Sequence, residues 1–210
     1  MAIFRQISGS AVLVEQGMAL LVTLLMLIAV LLLGASAART AMLGEKAARA
    51  ERDRYVALQA AEDALADAAK EINGSAASAP ARTALLAGGN GLGFVPGCGM
   101  GADSPALGLC AYAGGDAQIW ETVDIGDVSA ASRSVPFGRY TGAAMETGQG
   151  FLPFRRPRYI IERVPYHPPG EDAGAMHYFY RVTAIGFGAQ ESTEVVLQGS
   201  YRQAGGGGIP

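Results

Sequence analysis

Charge is scarce in this chain and unevenly placed. Asp, Glu, Lys and Arg make up 17% of 210 residues, and none of them falls between Glu15 and Arg39. The formal net charge of −3 leaves no basic footprint of the kind that binds nucleic acid, so no nucleic-acid partner is expected. Histidine is limited to His167 and His177 on either side of a Pro/Gly turn, and both read as surface or packing residues. With only Cys98 and Cys110 besides, no second Cys/His pair stands at ligand spacing, which argues against zinc. The acidic pairs Glu171-Asp172 and Asp124/Asp127 offer too few ligands for a calcium site and read as solvated loop carboxylates. There is no phosphate-cradling loop ending in Lys-Ser/Thr, no GxSxG and no HExxH. No nucleophile–base pair can be nominated, so neither an enzyme nor a cofactor is expected.

What the chain does have is one long apolar run, QGMALLVTLLMLIAVLLLGASAA, ending before Arg39. Roughly 20 apolar residues cross a bilayer core as a helix. A cleaved secretory signal has a shorter apolar region of ~7–15 residues before a small-residue site, and Ala35-Ser36-Ala37 mimics such a site. The run is too long for that reading, and the helical pattern continues past Arg39. A retained single-pass helix over 18–38 follows. Counting positive charges near its ends sets Arg5 against Arg39, Lys46, Arg49, Arg52 and Arg54, which by itself favours a cytoplasmic C-terminal part.

From Thr40 to Ile72 there is no proline, and strong helix formers dominate. Leu58, Ala61, Leu65, Ala68, Ala69 and Ile72 recur at intervals of three and four, giving one apolar stripe. The remaining positions carry charges, Asp53, Glu62, Asp63, Asp67 and Lys70 among them. Asn73-Gly74 supplies a left-handed stop. The two stretches predict one continuous helix, 18–73, of about 55 residues. Gly34, Ala35, Ser36, Ala37 and Ala38 permit close helix–helix approach in its apolar half.

Residues 74–157 read as a long connecting loop, and Cys98 and Cys110 bracket a short segment within it. Cysteines this close reach disulfide geometry without dragging distant elements together; such a staple would place the head in an oxidising compartment. Two reduced, half-buried thiols are the competing reading. The stretch around Trp120 predicts either a strand start or a Trp packed on the helix, and 138–157 reads as an exposed connection. Arg155, Arg156 and Arg158 read as a solvated loop leading into a strand, and Gly186–Gln190 as a turn between strands. Strands are expected at 158–164, 178–185 and 193–201, forming an antiparallel meander over 158–203 that covers Leu58, Leu65 and Ile72. Residues 204–210 read as a frayed tail.

The stretch from Glu15 to Ala68, EQGMALLVTLLMLIAVLLLGASAARTAMLGEKAARAERDRYVALQAAEDALADA, closely resembles the N-terminal region of PilX-type minor pilins of the type IV pilus. PRYIIERV, YRVTAIGFG and EVVLQGSY resemble the terminal strands of the same proteins, and the centre fits more loosely. The resemblance implies an α+β, type IV pilin-like fold, with a long helix, half transmembrane and half amphipathic, packed on a small antiparallel sheet. It implies that residues 1–17 are a leader, cut between Gly17 and Met18 by a prepilin peptidase, with N-methylation of Met18. The N-terminus would then be cytoplasmic and the head periplasmic, overruling the Lys/Arg count. The fifth mature position, a glutamate in major pilins, is here Val22. Implied partners are inner-membrane lipid, other minor pilins and a large tip adhesin; the implied place is the inner membrane and then the pilus, at or near its tip, in adhesion or twitching motility. A minor pseudopilin of type II secretion and a single-pass membrane sensor are the alternative readings.

Overall fold

The computed structural model describes residues 15–74, 79–88, 90–115, 118–148, 150–170 and 177–203. Most of the expected leader and all of the expected tail, 204–210, lie outside them, as do Glu171 and Asp172. The chain forms two compact units, Met1–Ala50 and Glu51–Pro210. Helix α1, Glu15–Ile72, contributes to both.

The first unit is helical throughout its described part, and every side chain from Gly17 to Ala50 is exposed. Among the described residues this is the one helix long and apolar enough to cross a membrane. Its hydroxyls bond back to the helix itself: Thr23 Oγ1 donates to the Leu20 carbonyl at 2.9 Å and Thr40 Oγ1 to the Ser36 carbonyl at 3.1 Å. Polar groups satisfied within the segment are what a lipid environment requires.

In the second unit, α1 stops as its sequence dictates. The Gly74 amide bonds the Glu71 carbonyl at 3.1 Å with φ at +80°, a conformation that suits glycine. A short helix α2, Pro80–Ala87, follows, with proline in its first turn where no amide donor is missed. Then come β1 (Leu109–Ala111), a single 3-10 turn (Ile119–Glu121), β2 (Val135–Pro136), β3 (Arg158–Tyr166), β4 (His177–Phe187) and β5 (Glu194–Tyr201). The three expected strands form within two residues of their expected ends.

The sheet is mixed rather than purely antiparallel. Strands β3, β4 and β5 make the expected meander, but β1 pairs parallel to β3, with Leu109 opposite Ile161, while β2 pairs antiparallel to the start of β3. A parallel neighbour needs a crossover of a dozen or more residues, and the long segment from 112 to 157 supplies one. That segment is therefore not a bare connection. It feeds two strands and covers one face of the sheet.

Alternation along the strands separates two apolar layers. Tyr159, Ile161, Tyr180, Val182 and Ala184 face Ala64, Ala68 and Ile72 of α1, with Leu86 of α2. Ile160, Ile185 and Phe187 face Cys98, Cys110, Ile119, Val123 and Ile125 from the middle segment. Cys98 and Cys110 are joined as a disulfide, with Cα atoms 4.0 Å apart. Ile119, not Trp120, turns inward; the Trp120 indole is exposed and donates to Gln118 Oε1 at 2.9 Å.

Strand β4 lies directly on the helix. A Cβ added at Gly186 would stand 2.1 Å from the Ala57 carbonyl oxygen and 2.4 Å from the Ala61 amide nitrogen. Gly186 is thus part of a strand, and its missing side chain is what allows backbone to meet backbone. Gly186→Ala should lower head stability by ~3 kcal/mol, as an overpacked core does, read as a drop in urea midpoint in detergent micelles. Gly44→Ala, whose Cβ meets nothing within 4 Å, should leave that midpoint in place. Equal midpoints for all three proteins would show that β4 is not seated on the helix.

Candidate functional site: the helix face that carries the head

The buried side of α1 within the second unit consists of Asp53, Ala57, Ala60, Ala61, Ala64, Asp67, Ala68, Glu71 and Ile72. Their spacing of three and four keeps them on one face. Five alanines give this face almost no relief, so strands can approach closely. The polar members do the fastening, and each carboxylate reaches a different part of the head.

Asp53 meets the β4–β5 turn. Its Oδ1 accepts from the Ala189 amide at 2.5 Å and the Gln190 amide at 3.2 Å. A Cβ at Gly188 would stand 2.6 Å from the same oxygen, so a larger residue there would displace the Asp53 carboxylate. Asp67 meets the segment after β2: it accepts from the Gly138 amide at 2.8 Å and from the Thr141 hydroxyl. Glu71 meets both α2 and the sheet. Its Oε1 is paired with the Arg82 guanidinium, and its Oε2 accepts from the Tyr159 hydroxyl at 2.5 Å.

Arg82 and Glu71 are both fully buried. Arg82 Nη1 donates to the carbonyls of Pro105 at 2.8 Å and Leu107 at 2.7 Å, and the guanidinium lies 4.5 Å from the Tyr140 ring centroid. One arginine on α2 thereby ties α1 to the disulfide-closed segment. Tyr180 completes the join, its hydroxyl donating to the Leu86 carbonyl at 2.6 Å. Burial pushes the Glu71 carboxyl above its ordinary value, while the Arg82 charge and the Tyr159 and Arg82 hydrogen bonds pull it back. Burial, with the Glu71 and Asp67 charges behind it, lifts Tyr159 well above the usual phenol range. The arrangement holds a proton donor and two charges in place, and through them it joins α1 to α2 and to β3.

The sequence-derived residues fall as follows. Ile72 is fully buried, Leu65 is half-buried against the same core, and Leu58 is half-buried. The deepest positions of the helix are its alanines, which lie to one side of the Leu58–Leu65 line. Gly17, Met18 and Val22 are exposed on the first unit, with Val22 48% accessible. Cys98 and Cys110 form the staple. His167 is exposed, and the His177 ring stands 6.0 Å from that of Tyr166.

Two readings need correction. Asp53 and Asp67, set outside the apolar stripe by the sequence pattern, are on the buried face and are 6% and 1% exposed. A signal was present: with Glu71 they share the three-and-four spacing of the alanines between them, a phase that a solvated face would not keep. The arginine cluster at the start of β3 is also partly interior. Arg158 is buried, and the Arg155 guanidinium lies 3.9 Å from the Phe187 ring centroid. Pairing in β2–β3 and a covering layer draw these side chains in.

Two family models match the chain. Residues 94–203 match the C-terminal region of the type IV pilus assembly protein PilX, and residues 16–66 match the PilX N-terminal region. Asp67, Glu71 and Arg82 lie in the stretch between the two matches. No curated protein and no solved structure matches the chain.

The raised Glu71 carboxyl has a definite consequence for stability. Between the ordinary value near 4.5 and the raised folded value, the folded state holds more protons than the unfolded state, so this group's contribution falls as pH rises. The stability of the wild type minus that of Glu71→Gln should therefore decrease as pH is raised through that window, measured by urea unfolding in micelles. Arg82→Met should cost ~3–5 kcal/mol at neutral pH, since it strands a buried carboxylate. Parallel pH profiles for wild type and Glu71→Gln would show that Glu71 titrates normally.

Proposed function

The chain belongs to the PilX family of type IV pilus assembly proteins, and from that premise we propose that this minor pilin acts in the priming complex from which the pilus grows. The observation that carries the proposal is Val22 at the position where, on the family pattern, a major pilin presents a glutamate. Bringing an unpaired terminal ammonium into an apolar helix bundle is costly. A carboxylate on each incoming subunit offsets that cost by meeting the ammonium of its neighbour. A subunit without one fits where no earlier subunit needs neutralising, and that is the first-assembled end.

The rest of the pathway follows from the same reading. Prepilin peptidase cuts after Gly17, Met18 is N-methylated, and 18–38 holds the subunit in the inner membrane. The head lies in the periplasm, in keeping with a Cys98–Cys110 disulfide, which persists in oxidising compartments. Other minor pilins are its neighbours, and a large tip adhesin is the further partner through which adhesion or twitching motility would depend on it. Within the second unit the head is fastened to residues 53–72 by buried carboxylates, so that part of the helix and the head would bear load together.

The test begins with the N-terminus. Intact mass and N-terminal sequencing of membrane-derived protein should give methylated Met18, and the mature form should vanish in a strain lacking the peptidase. An unprocessed Met1 would fit a membrane sensor instead, and cleavage near Ala37 a secreted domain. Deletion should reduce surface pili. Val22→Glu should keep processing intact yet change pilus number or binding to the other minor pilins; no change in either would remove positional meaning from Val22.

A further inference from the structure

Arg158 opens β3 and is only 9% exposed, yet no carboxylate among the described residues lies within ion-pair distance of it. Its Nε donates to Ser134 Oγ at 2.7 Å, and its Nη2 donates to Ser132 Oγ at 2.8 Å and the Ser134 carbonyl at 2.7 Å. A guanidinium carries five N–H groups and stays protonated in proteins. Those three bonds leave the pair on Nη1 without an acceptor among the described residues. Asp127 is the acid nearest in effect, but its oxygens take the Ser129 amide at 2.8 Å and the Ser129 hydroxyl at 2.9 Å. Burial pulls Arg158 below its ordinary value, with the Asp127 charge opposing. Nη1 is not enclosed by protein, so the end of this largely buried guanidinium, bonded directly only to neutral oxygens and offset in part by the Asp127 charge, stays open to a further acceptor.

The same arginine lines a cavity of about 200 Å³, together with Ser129, Ser132, Pro136, Val128 and Arg139. Arg139 brings a second guanidinium to the rim. Its Nη2 bonds the Ala102 carbonyl at 2.6 Å and Asp103 Oδ1 at 3.0 Å, but Asp103 is fully exposed, so solvent screens that pair. Two guanidinium groups and two serine hydroxyls thus share a recess to which the described protein contributes no lining carboxylate.

We propose that this recess is a binding site for one small oxyanion, a carboxylate or phosphate group, held between Arg158 at its floor and Arg139 at its rim. Arg158 supplies the two Nη1 protons and Arg139 the outer charge, and charge-assisted bonds of this kind are the strong ones. Its volume is below the ~300 Å³ at which drug-sized ligand pockets begin. It therefore admits a single acidic group rather than a nucleotide. Such a group arrives either on a carboxylate-bearing ligand or as a phosphate, and the two are separable by experiment.

The test uses the full chain, ¹⁵N-labelled, in non-ionic micelles at constant ionic strength. Sodium acetate and inorganic phosphate are titrated separately against a sodium chloride reference, and the assigned Arg158 Nε–H resonance is followed. A saturable shift with acetate identifies a carboxylate site; saturation with phosphate alone identifies a phosphate site. Arg139→Gln, at an exposed rim position, should weaken the binding constant about tenfold. Val128→Glu places a carboxylate on an exposed wall of the recess and should abolish the response while leaving the melting temperature unchanged or higher. A shift that merely follows chloride, or wild-type binding in both variants, would overturn the proposal.

Discussion

The folded head depends on how closely β4 can approach α1. With Gly186 against the backbone at Ala57 and Ala61, the sheet sits nearer the helix than any larger pair of residues would allow. That closeness dictates the alanine face, because a leucine at position 57, 61 or 64 would lift the sheet off. It also limits what apolar burial can supply, since alanine side chains remove little surface from water. The missing apolar area is made up elsewhere, by Ile72 and Leu86 at one end and by the second layer of Cys98, Cys110, Ile119 and Phe187 behind the sheet.

A smooth alanine face sets distance well and register poorly. Ala57, Ala61, Ala64 and Ala68 sit at near-repeats of one helical turn, so a slip of about 5.4 Å along the axis would replace alanine by alanine at several contacts. The carboxylates remove that ambiguity. Asp53, Asp67 and Glu71 reach the β4–β5 turn, the segment after β2, and Arg82 with Tyr159. A one-turn slip would break all three at once and leave the Arg82 charge buried alone. Buried ion pairs are weak contributors to net stability but severe penalties when broken, which is the property a register lock needs.

Much of this was legible in the sequence. The apolar run, the unbroken helix to Ile72, the Asn73-Gly74 stop and the three long strands all follow from period and composition, which local chemistry sets. The head's middle segment was not legible. Its glycines and prolines gave no periodicity, and β1 and β2 are only three and two residues long, formed because β3 offers an open edge. Asp53 and Asp67 were misread for a related reason. A carboxylate on an amphipathic helix is by default solvated, and only a tertiary partner such as the Gly188–Gln190 turn or Gly138 reverses that. The Cys98–Cys110 link, by contrast, was readable as a candidate from spacing, although its burial under Ile160 was not.

The two halves of α1 answer to different solvents, and their sequences divide the work accordingly. From Gly17 to Ala50 no side chain is buried within the unit; the apolar surface of its first part, Gly17 to Ala38, is stable only against lipid or other helices. From Asp53 onward the same helix is fastened by directional bonds that depend on position rather than on apolar area. Leucines facing lipid would tolerate rotation and sliding, since lipid sets no fixed register. Buried carboxylates tolerate neither, which a head needs if its exposed surface is to hold a fixed orientation on its helix. A helix with leucines throughout would bind its head loosely, and one with acids throughout would not enter the membrane. The change of chemistry between Ala38 and Asp53 is therefore what divides the work along one continuous element.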